Sequence, residues 1–347
     1  MDDYCEYVTR NSYVERFNED CDGLEVSEIL QLESGRLIAE RKTIPNDEVV
    51  SWLSNSRTQS DSTIKTNTVV RIVYISHQLG FASNVNISHA TQELVLDGFQ
   101  LKRAWSMSRQ MNMVSSFSID DQQRQAKRSF TMQFKNDIHI SWTHDLRSSC
   151  TDVICGFAES FNGFDMADYI HNLLASSKGF ARYPLLMGLV LVTLSNVLHE
   201  NSFINIERKI AGTESRTQHS GFPDETRVPA AAGSFSSLSA TMSGCATSLA
   251  FVERDQEVIC NMLELLWDDK FILSVGNSSL LEGMALEFDQ CLTIARQGLE
   301  SQVIYRQYLL RRVEIQLNAV CDFLFHFVPI IRCTRGSSHS DCASCST

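Results

Sequence analysis

The residues suited to chemistry are few and scattered. Trp142-Thr143-His144-Asp145 closes a segment that reads as a strand, a place where catalytic side chains can sit. A His beside an Asp in sequence makes no dyad, because neighbours on a strand point to opposite faces. No Gly-x-Ser-x-Gly elbow accompanies them. An enzyme built around His144, Cys150 and Cys155 would need all three in one cleft, so the structural reading is preferred. The tail holds Cys333, His339, Cys342 and Cys345, a set with the donor chemistry of a tetrahedral zinc site. Its surroundings, Gly-Ser-Ser-His-Ser-Asp, offer no apolar residues for a folded module to bury.

Carboxylates cluster at Glu19, Asp20 and Asp22 and at Asp268 and Asp269. Neither group has the loop spacing of a hard-cation site, so both read as solvated faces. A weak magnesium contact between subunits stays compatible with them, since that ion keeps its water and needs one or two carboxylates. Glycine-rich phosphate loops and paired-glycine dinucleotide fingerprints are absent. The expectation is a non-enzymatic chain with no catalytic, cofactor or metal residues.

The net charge of −12 over 347 residues argues against nucleic acid as a partner, because that binding needs Lys and Arg to displace counterions. Eleven cysteines in an irregular spacing suit reduced thiols in a cytosolic protein better than a disulfide framework. The start, Met1-Asp2-Asp3, lacks a basic and then apolar leader. The longest apolar run, Leu185 to Leu198, is short of the ~20 residues of a membrane helix. A cytoplasmic chain without a membrane span is expected.

The elements that must position everything else read as α+β: a mixed or antiparallel sheet with packed helices, followed by a long, stalk-like C-terminal helix. Residues 1–60 read as a helical lead, with Leu24, Ile29, Leu30 and Leu32 on a polar background and a helix carrying Val49, Val50, Trp52 and Leu53. An α+β domain follows over 61–211. Val69 to Ile75 is dense in β-branched residues and reads as a strand. Ser88 is a helix cap. Ser129–Phe134 and Ile138–Trp142 form a hairpin across Lys135-Asn136-Asp137, and Asp152–Phe157 is another strand. Pro184 opens a helix, apolar on most faces, that runs to about Glu200. Residues 212–248, rich in Gly, Ser, Thr and Ala, read as a flexible linker. Residues 249–328 read as a helical hairpin or stalk, and 329–347 as a disordered tail.

The last helix carries the strongest pattern. Phe288, Leu292, Ala295, Leu299, Val303, Leu310, Val313, Leu317, Val320 and Leu324 step by three and four, broken only at Arg306. A seam that long is coiled-coil-like and predicts helix-to-helix association with another polypeptide, ending at Pro329. The alternative is a helix lying along its own domain.

Four segments, in order, carry a resemblance. They are Arg71-Ile72-Val73-Tyr74-Ile75 with Asn86-Ile87-Ser88 and the helix to Phe99; the strand pair ending Ser141-Trp142-Thr143-His144-Asp145-Leu146; Tyr183-Pro184-Leu185-Leu186; and the long helix with Leu309 to Leu317. In them the chain resembles the divergent fungal CorA-like, magnesium-transporter-like proteins. That resemblance implies a cytosolic α/β domain whose last helix runs toward a membrane pore in a homo-oligomer, with divalent cations, Mg2+ foremost, as cargo. Typical members add two membrane helices and Gly-Met-Asn at the pore mouth. Here Gly283-Met284 is followed by Ala285 and precedes the stalk. The expectation is therefore the cytosolic portion of such a protein, truncated and not transport-competent alone, with a membrane location only for full-length relatives. The alternative is an unrelated soluble module whose last helix binds a helical protein partner.

Overall fold

The computed structural model describes residues 16–54, 58–59, 66–77, 84–108, 114–119, 127–134, 138–158, 165–217, 235–273 and 279–336. In chain order the strands are β1 Arg16–Phe17, β2 Gly23–Leu32, β3 Leu37–Pro45, β4 Thr58–Gln59, β5 Thr66–His77, β6 Asn84–Val85, β7 Val114–Ile119, β8 Lys127–Phe134, β9 Ile138–Asp145 and β10 Cys150–Ala158. The helices are α1 Val49–Ser54, α2 His89–Gly98, α3 Lys102–Ser108, α4 Met166–Ser176, α5 Leu186–Thr217, α6 Phe235–Leu273 and α7 Ser279–Gly336. The chain divides into two compact units, Met1–Ser195 with Glu257–Gln297, and Asn196–Gln256 with Gly298–Thr347.

The first unit is α+β, and its sheet is mixed. The main path runs β3-β2-β5-β10-β9-β8-β7, with β4 and β6 paired to β5 and β1 paired to β6 in parallel. β5 and β10 pair in parallel and the other neighbours on that path are antiparallel. β5 and β10 lie at the centre and are buried along nearly their whole described length, which is why they read as continuous apolar runs.

On one face Leu24, Val26, Val73, Ile75 and Ile154 pack with Val49, Trp52, Val95, Phe99, Leu101 and Trp105 from α1, α2, α3 and the segment between them. Ser88 caps α2, accepting a hydrogen bond from the Thr91 N–H at 3.1 Å. A buried ion pair crosses the parallel register: Arg71 Nε donates to Asp152 Oδ1 at 2.7 Å. The Arg71 guanidinium also lies 4.9 Å from the Phe99 ring centre. On the other face the Trp142 indole N–H donates to the Pro184 carbonyl at 3.0 Å.

Four expectations are corrected. Residues 23–45 form a hairpin, not a helical lead. Leu24, Val26 and Leu30 alternate toward one face, and Gly35 turns the chain at φ +80°, a conformation a side chain would resist. The supposed linker 212–248 contains helix on both sides: α5 continues to Thr217 and α6 starts at Phe235, while 218–234 lie outside the described residues. α5 therefore overruns Glu200. Finally, α7 passes Pro329 and continues to Gly336. The one N–H that proline removes does not end it.

Candidate functional site

Most of the predicted seam on α7 is covered by this chain itself. In the first unit Phe288 and Leu292 are fully buried. Phe288 meets Tyr183 at 4.4 Å and Phe180 at 5.7 Å between ring centres. Ala295 is buried in the same unit, and Leu299 in the second. Further along, Val313 joins Phe203, Ile206, Ile210, Met242, Cys245, Leu249 and Leu309 in one apolar cluster, with Leu310 and Leu317 packed against it. Val320 packs with Phe235 and Leu238. Val303 is half-buried, and the Leu324 side chain lies outside the described residues. The expectation that this seam serves another polypeptide is thus overturned from Phe288 to Val320. Burying each Leu, Val or Phe is worth about 1.5–3 kcal/mol. Phe180 and Tyr183 cover Phe288, and α5 and α6 supply the apolar surface against Leu309, Val313 and Val320.

The break at Arg306 has a partner of its own. Arg306 is buried, and its Nε donates to Gln256 Oε1 at 3.0 Å. Its Nη1 lies 2.7 Å from Glu253 Oε1. A polar layer continues across the second unit: Gln302 Nε2 donates to the Asn196 carbonyl at 2.9 Å. His199, fully buried, stands 4.0 Å from the Asp255 carboxylate.

What the seam leaves open is a different face. In the second unit Ile304, Tyr308 and Ile315 are 69%, 51% and 57% exposed. Their spacing, i, i+4 and i+11, places them within about 40° of arc at ~100° per residue. Leu286 and Ile294, on the part of α7 in the first unit, are also exposed. At ~100° per residue this stripe lies on the side of α7 opposite the buried seam. It escapes a reading that assigns one apolar face per helix.

The candidate catalytic residues are not brought together. His144 is buried, with Nδ1 2.9 Å from Thr151 Oγ1. Cys150 pairs in register with Asp145 and so faces away from His144. Its thiol points at the Thr68 carbonyl, 3.3 Å away. Cys155 is fully buried about 16 Å along the strand at ~3.3 Å per residue, and burial pushes its thiol up. Among the described residues no three His, Cys, Asp or Glu side chains form a group that could hold a metal ion. Cys333 lies in α7, and His339, Cys342 and Cys345 lie outside the described residues. Also among the described residues, no helix is long and apolar enough to cross a membrane.

No family model matches the chain, and no curated protein matches it significantly.

Proposed function

We propose that the chain is the cytosolic portion of a CorA-like divalent-cation transport protein, in which it serves as a self-assembling scaffold without catalysis. Two things support this reading. The first is the order of elements: a mixed sheet followed by three long helices, the last of 58 residues. The second, which carries it, is the open apolar stripe Ile304, Tyr308 and Ile315 on that last helix. The inner face of α7 is already filled, so self-association belongs to the outer stripe. Scattered single apolar residues are ordinary on surfaces, whereas three on one helical face form the edge of an association surface. In this reading Mg2+ is cargo, the location is cytoplasmic, and the described part is not transport-competent alone.

Light scattering on the purified full chain tests the assembly. The wild type should run as a multimer, and Ile304→Asp with Ile315→Asp should run as a monomer of unchanged helical content. A monomeric wild type at every concentration overturns the scaffold reading. The second reading, a module for a different helical partner, gains from Phe251, 54% exposed on α6 of the same unit. A pull-down that captures such a partner from a monomeric chain, and loses it in the same double variant, favours that reading.

A further inference from the structure

α4 lies on the sheet face that carries Ser27 and Tyr74, and His171 of α4 ends a three-member hydrogen-bond chain. The Tyr74 hydroxyl donates to Ser27 Oγ at 3.1 Å. Ser27 Oγ lies 3.0 Å from His171 Nδ1. Ser27 is 0% and Tyr74 1% exposed, so each of their hydrogens needs a protein acceptor. One polarity satisfies both: Tyr74 gives its hydrogen to Ser27, and Ser27 gives its own to a neutral imidazole nitrogen.

A proton on Nδ1 removes that acceptor. The chain must then reverse or break. Reversed, it leaves the Tyr74 hydrogen pointing at nothing better than the Cys155 thiol beside it, a weak acceptor. Unreversed, it leaves the Ser27 hydrogen without a partner. Either way one buried O–H is orphaned, which shifts the local equilibrium by roughly ten- to hundredfold.

The charged groups around His171 come from three elements. Arg41 on β3 is the nearby cation, held by Glu25 of β2 at 2.6 Å, Asp168 at 3.3 Å and Asp165 at 3.4 Å, the last two at the start of α4. Burial first, then Arg41, holds His171 below the ordinary histidine range, with Asp168 opposing.

We propose that His171, acting through Ser27 and Tyr74, is an acid-sensitive latch that keeps α4 on the sheet when neutral and loosens it when protonated. Hydrogen–deuterium exchange of the full chain across the His171 titration reads this directly. After correction for intrinsic rates, α4 amides should exchange at least tenfold faster on the acid side, while β5 amides stay protected. His171→Asn places an amide oxygen where Nδ1 stands and accepts without titrating, so its α4 exchange should be flat. A wild type without the acid response, or a His171→Asn chain that keeps it, overturns the latch. NMR titration gives a second arm that needs no Asn variant. In Ser27→Ala the Tyr74 hydroxyl has lost its acceptor at every pH, and protonation of His171 orphans no further O–H. The His171 midpoint should therefore rise, while burial and Arg41 still hold it below the ordinary histidine range. An unmoved midpoint overturns the proposal equally.

Discussion

Arg312 on α7 grips Glu214 on α5 with both prongs of its guanidinium, Nε to Oε1 at 2.9 Å and Nη2 to Oε2 at 2.7 Å. The third nitrogen, Nη1, reaches Glu207 Oε1 at 3.0 Å. Tyr305 donates to the other oxygen of Glu207 at 2.7 Å. The Arg312 and Glu214 side chains are 16% and 14% exposed, so water screens them little. The hydrogen bonds that Arg312 donates to Glu214 first, and then the Glu214 charge, hold the guanidinium above its ordinary range against some desolvation. Arg312→Met should therefore cost about 2 kcal/mol, between the values for exposed and fully buried pairs. Arg312→Lys should recover less than half, because an ammonium cannot make the fork. Urea titration of the two variants measures both.

Arg306 separates two accounts of the α7 seam. If the seam were a coiled-coil edge, Arg306→Leu would mend its only break and stabilise the chain. In the structure Arg306 satisfies the Gln256 side-chain oxygen and Glu253 instead. Arg306→Leu strands a buried acceptor, a cost of about 1–3 kcal/mol. A lowered melting temperature is expected, and a raised one would return the seam to its coiled-coil reading.

These two arginines show what the sequence discloses. The three-and-four repeat on α7 declares a helix with a buried stripe, but periodicity carries no record of what covers it. From Leu309 to Val320 α5 and α6 do so, and the Gly, Ser and Ala content over 235–248 disguised the second of them. The β5 strand and the pairing of β8 with β9 were legible because their signals are local: β-branched runs and the turn-forming residue types Lys135-Asn136-Asp137, which themselves lie outside the described residues. The β2–β3 hairpin was not. Its alternation is interrupted at Glu28, a buried carboxylate whose partners are the Trp52 indole at 2.9 Å and Lys42. Such partners are known only once the chain is folded. The outer stripe at Ile304, Tyr308 and Ile315 was present in the sequence, on the opposite side of the helix from the stronger inner one.

Gly188 sets helix propensity against packing. Alanine in a helix is favoured over glycine by about 1 kcal/mol. A Cβ at 188, however, would collide with the Leu266 methyl groups of the same unit. Leu266 is fully buried and has no room to yield. Overpacking of a tight core costs ~1–3 kcal/mol, so it wins over propensity. Gly188→Ala should destabilise the chain by about 1 kcal/mol in urea titration, while Gly244→Ala, with nothing near its Cβ, should stabilise it slightly.

Asp165 gives an acid dependence that can be separated from its role as a cap. Its carboxylate accepts the Asp168 N–H at 2.9 Å at the start of α4. That hydrogen bond first, and then Arg41, hold its pKa below the ordinary aspartate value, against some desolvation. A depressed carboxylate stabilises the fold above its unfolded pKa, near 3.9, and loses that contribution as pH falls through the lower folded value. The folded chain should thus weaken on acidification below about pH 4, a window below the His171 titration. Asp165→Asn keeps a good cap but removes the charge, so its stability should vary less with pH there. Asp165→Ala loses both and should cost about 1 kcal/mol more at neutral pH. Chemical denaturation of the three chains from neutral pH to about pH 3 reads the difference. Parallel curves for wild type and Asp165→Asn would remove the carboxylate from the account.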